Sequence, residues 1–133
     1  MIVVDTNVIA YLHLSGERTP AAEAAWEADP DWHAPLLWRS EFRNVLALQM
    51  RRGGIDVAEA SRISGEAEQT LAHGEHLVRA RHVLRLADGS GRSACDCEFV
   101  ALAEVLDVPL VTADRALCAS FPERTVELEA FAG

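Results

Sequence analysis

Met1-Ile2-Val3-Val4-Asp5-Thr6-Asn7 is the stretch on which the reading of this chain turns. A wholly apolar run ends in a carboxylate, a hydroxyl and an amide, then passes into the amphipathic Val8-Ile9-Ala10-Tyr11-Leu12. That pattern is a strand buried on both faces, a turn and a helix start. Asp5 then stands at the carboxyl end of the strand, where open α/β sheets place their ligands.

Downstream, helix and strand signals alternate. A helix over 8–14 stops at Ser15-Gly16, and Pro20 sits in the first turn of the next, which Asp29-Pro30 closes. Residues 32–35 read as a short strand. Residues 37–52 form a helix with Phe42, Val45, Leu46 and Met50 as its apolar stripe, stopped by Gly53-Gly54. Another helix begins at Asp56 and runs to about Gly74. A minimal strand over 76–78, a helix over about 80–87 and a loop over 88–91 follow. Ser93 opens a helix whose predicted core stripe is Cys95, Phe99, Leu102 and Leu106. Strand 108–112, a short helix from Asp114 to about Phe121 and strand 125–128 complete the order. Alternation of this kind predicts a three-layer α/β/α fold with a central parallel sheet of about five strands.

At 133 residues the chain reads as a single domain over 1–133, large enough to bury a core without disulfides or a structural metal. All 12 basic residues are arginine and the formal charge is −9. The negative balance argues against indiscriminate nucleic-acid binding, and the absence of lysine removes P-loop and Schiff-base chemistry. Three unpatterned cysteines and no apolar run near the roughly 20 residues of a membrane span point to a cytoplasmic protein with no membrane partner.

Four acids fall at or just inside predicted helix starts: Asp5, Glu41, Asp96 and Asp114. Each alone reads best as a cap or a dipole complement, worth roughly 0.3–1 kcal/mol. Two placements argue for more. Asp5 and Asp114 follow buried strands and so share one sheet edge, and Glu41 borders the core stripe with Val45 and Leu48 at helical spacing. Carboxylates brought together repel and raise one another's pKa values, which a hard divalent cation relieves. An all-oxygen site of this kind suits metal-assisted phosphodiester hydrolysis and excludes a zinc-type reading.

Met1 to Val8, Ser40-Glu41, Ser93-Ala94-Cys95-Asp96-Cys97-Glu98-Phe99-Val100-Ala101-Leu102-Ala103 and Leu110-Val111-Thr112-Ala113-Asp114-Arg115-Ala116-Leu117 together resemble the successive signatures of PIN-domain proteins. The likeness spans essentially the whole chain and is greatest to the VapC-type toxins of toxin–antitoxin pairs. It implies a Mg²⁺-dependent endoribonuclease, with Mn²⁺ as substitute, in which Asp5, Glu41, Asp96 and Asp114 form the catalytic and metal-binding quartet. Thr6, Asn7 and Thr112 would be polar supports. Metal-activated water would attack phosphorus in line and leave 5′-phosphate and 3′-hydroxyl ends. The resemblance also implies a homodimer held inactive by a cognate antitoxin. The family usually carries an aromatic where Cys95 stands, a departure expected to touch helix packing more than chemistry. Arg43 and Arg115 are the first choices for holding the RNA backbone.

Other signals rank lower. Gly89-Ser90-Gly91-Arg92-Ser93-Ala94 matches a dinucleotide fingerprint, but only if residues 82–87 form a strand. Cys95-x-Cys97 is not zinc spacing, the histidines form no ligand pattern, and no serine sits in a nucleophile elbow. Glu98, two residues past Asp96, points elsewhere on its helix and is an outside candidate for a second metal. Trp38 reads as packing; for Trp26, packing and a partner surface stay open. A non-catalytic PIN-like binding module, active only within a protein complex, is the rival functional reading.

Overall fold

The computed structural model describes all 133 residues. Five strands, β1 (Ile2–Val4), β2 (Trp32–Pro35), β3 (Glu75–His76), β4 (Leu110–Thr112) and β5 (Thr125–Glu127), form one sheet in the order β3-β2-β1-β4-β5. Every adjacent pair is parallel. Three-residue strands suffice because β1 and β4 are apolar and fully covered; Val3, Val4, Leu110 and Val111 are all 0% exposed.

Eight helices flank the sheet: α1 (Thr6–His13), α2 (Thr19–Ala28), α3 (Trp38–Arg51), α4 (Val57–Thr70), α5 (Ala80–Ser90), α6 (Ala94–Leu106), α7 (Arg115–Ser120) and α8 (Leu128–Ala132). Helix α1 packs against α2, α3 and α4, whereas α6 lies on β1, β2 and β4 with α5 against it. Strand order reverses between β1 and β4, so the carboxyl ends of these two central strands form the crevice where such sheets bind ligands. No helix is long and apolar enough to cross a membrane.

The close approach of the loop before β3 to β2 depends on Gly74. A Cβ there would lie 2.0 Å from the Trp32 carbonyl oxygen, and the Gly74 carbonyl accepts the Ala34 N–H at 2.8 Å. Trp38 is buried and its Nε1–H donates to Glu75 Oε2 at 2.9 Å, while Trp26 packs edge-on against Trp32 with centroids 5.2 Å apart. Two histidines satisfy each other inside the sheet: His33 Nδ1 lies 2.8 Å from His76 Nε2, and its Nε2 lies 2.8 Å from Asp31 Oδ1.

Four local expectations fail. The loop over 88–91 is instead the last turn of α5, which ends only where Gly91 takes φ 73°. A lone glycine costs a helix about 1 kcal/mol, and the Val83–Cys97–Ala101 contact that seats α5 on α6 outweighs it. Strand β3 pairs at Glu75 and His76, leaving Leu77 85% exposed. Cys95 faces solvent because α6 is buried over Cys97 and Phe99 to Ala103, so no single stripe describes it and the missing aromatic leaves the core untouched. The last strand, expected over 125–128, ends at Glu127 because Leu128 starts α8, which is too short to show a periodicity and packs on α2, β4 and β5.

Candidate functional site

Asp5 continues the β1 ladder through its N–H, which donates to the Val111 carbonyl at 3.1 Å. Its two carboxylate oxygens are then separately engaged. Oδ1 accepts the Thr6 N–H at 2.8 Å and caps α1; Oδ2 accepts the Thr112 hydroxyl at 2.8 Å. Thr112, fully buried at the end of β4, also accepts the Asp114 N–H on its Oγ1 at 3.0 Å. One hydroxyl therefore ties together the acids that follow β1 and β4.

Glu41 sits in the first turn of α3, and its Oε1 accepts the hydroxyl of buried Thr6 at 2.7 Å. Asp114 divides its oxygens as Asp5 does. Oδ1 caps α7 by accepting the Leu117 N–H at 3.1 Å, and Oδ2 accepts from Arg92 Nη2 at 3.3 Å. The same nitrogen donates to Asp96 Oδ2 at 3.1 Å. Ser93 and Asp96 form half a capping box: Ser93 Oγ accepts the Asp96 N–H at 3.1 Å, while the Asp96 carboxylate turns to Arg92 instead of back to its own helix start.

Charge accumulates here. Burial pushes the Asp5 carboxyl up to about 6, with the charges of Glu41 and Asp96 adding and the bonds from Thr112 and Thr6 opposing. Burial likewise raises Glu41, helped by Asp96 and Glu98 and opposed by Thr6. No three acid, histidine or cysteine side chains stand close enough to share one ion as the site is arranged. The donor chemistry nevertheless fits a hard divalent cation: the four candidate ligands are all carboxylates, two of them braced by threonine hydroxyls, and Arg92 is the one cation bonded to any of the four. That guanidinium bridges Asp96 and Asp114.

The supporting residues divide. Thr6 and Thr112 brace the acids, whereas Asn7 is exposed and faces a hollow shared with Tyr11, Arg18 and Gln49. Arg43 is exposed beside Met50 and Val57, and Arg115, 84% exposed, lies 3.4 Å from Glu127. Glu98, far from pointing away, lines an apolar groove of about 580 Å³ with Ser40, Leu77 and Val83, and its charge acts on Glu41. Leu48, expected beside Glu41 on a covered face, is 43% exposed.

Arg92 is the site residue that sequence reasoning missed. Its only signal was the i, i+4 spacing to Asp96, and Gly89-Ser90-Gly91 drew the segment towards the dinucleotide reading, which a helical α5 removes. Arg79, Arg81 and Arg85 on or beside α5 were also passed over; they are exposed. The ion pairs of the chain engage Arg18, Arg39, Arg62, Arg92, Arg115 and Arg124 and leave these three free, together with Arg43, Arg51 and Arg52.

Residues 2–120 match the PIN domain. The chain is 33% identical over 124 residues to Ribonuclease VapC3 of Pyrobaculum aerophilum, covering 91% of this chain and 95% of that one. The crystal structure of PAE2754 from Pyrobaculum aerophilum superposes with a TM-score of 0.76 at 23% identity, covering 98% and 92% of the two chains. A toxin–antitoxin complex from Klebsiella pneumoniae gives 0.69 at 19% identity, covering 96% and 98%. VapC20 of Mycobacterium tuberculosis, a Sarcin-Ricin loop cleaving toxin, gives 0.65 at 20%, covering 91% and 95%. These three structures share the fold.

Proposed function

Because the chain belongs to the PIN-domain family, with VapC ribonucleases among its relatives, we propose that it is a metal-dependent endoribonuclease, the toxin of a toxin–antitoxin pair. Residues 1–133 act as one nuclease unit on RNA, as a homodimer, and a cognate antitoxin restrains it. The observation that supports this reading is the linkage of four acids distant in sequence through three side chains: Thr112 joins Asp5 to Asp114, Arg92 joins Asp114 to Asp96, and Thr6 joins Glu41 to the start of α1.

Asp5, Asp96 and Asp114 would hold Mg²⁺ or Mn²⁺, with Glu41 beside them. Such a cation supplies acidification of water and neutralisation of charge at the leaving oxygen. The chain supplies the rest. Thr6 fixes one Glu41 oxygen, which leaves the other to orient the attacking water and accept its proton; burial of Glu41 raises its proton affinity in the direction a base needs. Thr112 keeps Asp5 and Asp114 in a fixed relation, so the reacting phosphate meets a rigid edge. The free arginines at 79, 81 and 85 give the RNA backbone a cationic rim that the net charge of −9 otherwise denies it.

Purified protein should cleave RNA only with Mg²⁺ or Mn²⁺, stop on chelation and yield 5′-phosphate ends. Asp96→Asn should lower the rate at least about a thousandfold with its melting temperature retained. Cleavage that persists in chelator would end this reading. The rival, a non-catalytic module, predicts that Asp5→Ala and Asp96→Ala leave biological function intact.

A further inference from the structure

Arg92 is placed by the turn between α5 and α6. Gly91, at φ 73°, ends α5, the Arg92 N–H donates to Ser90 Oγ at 3.1 Å, and Ser93 starts α6. The side chain thereby lies over the first turn of α6, where one nitrogen, Nη2, reaches both Asp96 at 3.1 Å and Asp114 at 3.3 Å.

The contact is poorly made for a structural ion pair. Arginine binds carboxylates best through two parallel N–H···O bonds; here a single nitrogen is shared between two acids, at the long end of the hydrogen-bond range. Arg92 Nε is buried and has no partner at all. A buried donor left unbonded is unfavourable, so the guanidinium is held by the surrounding negative charge more than by fit. One positive charge faces Asp96 and Asp114 directly, with Asp5 and Glu41 adding theirs, and cannot balance them.

We propose that Arg92 is an internal counter-cation of the four-acid site, bridging Asp96 and Asp114 in competition with a divalent cation for the same carboxylates. Metal binding would then compete with the guanidinium for the same two carboxylates. Arg92 is a positioning residue: while it bridges Asp96 and Asp114 it occupies one oxygen of each. This rests on the metal-binding reading of the acids.

The test is direct binding of Mn²⁺ to the RNA-free protein, read by loss of the free-ion electron paramagnetic resonance signal. Arg92→Gln should bind Mn²⁺ about tenfold more tightly than the parent chain. In the parent chain, the Arg92 Nε–Hε nuclear magnetic resonance signal should move as diamagnetic Mg²⁺ is added, reporting release of the side chain without any substitution. Equal or weaker Mn²⁺ binding by Arg92→Gln, or an Arg92 signal unmoved at saturating Mg²⁺, overturns the proposal while leaving the metal site standing. No Mn²⁺ binding by either protein overturns both.

Discussion

Asp5→Asn should make the protein more stable at neutral pH, although it removes the acid at the centre of the site. The parent carboxyl, ordinarily at 3.8, is pushed up to about 6, first by burial and then by Glu41 and Asp96. A folded pKa above the unfolded one means the native state binds the proton more tightly. Stability from this group is therefore complete below about 3.8 and is lost as pH rises through about 6. The gap corresponds to about 3 kcal/mol at pH 7.5. Asparagine keeps the acceptor for the Thr6 N–H and can donate to Thr112 Oγ1, but the Thr112 hydroxyl loses its acceptor, which costs about 1 kcal/mol. The net gain is about 2 kcal/mol, a rise of about 8 °C in melting temperature for a domain of this size. Chelator-treated parent and variant should be melted side by side at pH 7.5 and pH 4. The gain should be present at the first and absent at the second, where the parent carboxyl is already protonated. Added Mg²⁺ should then raise the parent and leave the variant unmoved, because only a folded site with its ligands gains by mass action. An Asp5→Asn protein no more stable than the parent at pH 7.5, or equally stabilised at pH 4, would refute the burial argument.

Two further outcomes follow from the geometry. Replacing Arg79, Arg81 and Arg85 together by Gln should weaken single-stranded RNA binding and reduce the slope of log affinity against log salt by about 2, given roughly 0.7 per phosphate contact; an unchanged slope in a salt titration places the backbone elsewhere. Gly74→Ala should lower stability by about 2–3 kcal/mol in urea denaturation, since its Cβ would meet the Trp32 carbonyl oxygen at 2.0 Å; a loss under about 1 kcal/mol would show that β2 and the turn before β3 part easily.

Sheet and site were legible in different ways. The apolar runs Ile2-Val3-Val4 and Leu110-Val111-Thr112 declare strands covered on both faces, and the acids that follow them land on the same edge because all strands are parallel. Glu41 was legible as an acid beside an apolar stripe, though the hydroxyl that holds it, Thr6, lies 35 positions away. Arg92 was not legible. Its role comes from Gly91 taking a left-handed turn and from Asp114 lying across the sheet edge, and neither is encoded in local pattern. Cys95 misled for the opposite reason: a stripe reading presumes one covered face, and α6, wedged between sheet and α5, has several.

Capping and ligation are not competing readings of Asp5 and Asp114. A carboxylate that gives one oxygen to a backbone N–H is thereby fixed in rotation, and its second oxygen is aimed without any further residue to steer it. At Asp5 the second oxygen meets Thr112; at Asp114 it meets Arg92. The helix start therefore supplies orientation at no loss of donor capacity, since each cap needs only one of the two oxygens. The same economy explains why the acids lie where strands end and helices begin: that junction brings them to the sheet edge with one oxygen anchored to a helix start and the other available to a side-chain partner. Glu41 and Asp96, a turn inside their helices and not caps, need outside partners instead, and Thr6 and Arg92 are those partners. Asp114→Ala should cost α7 stability and chemistry together, whereas Asp96→Asn should cost chemistry alone.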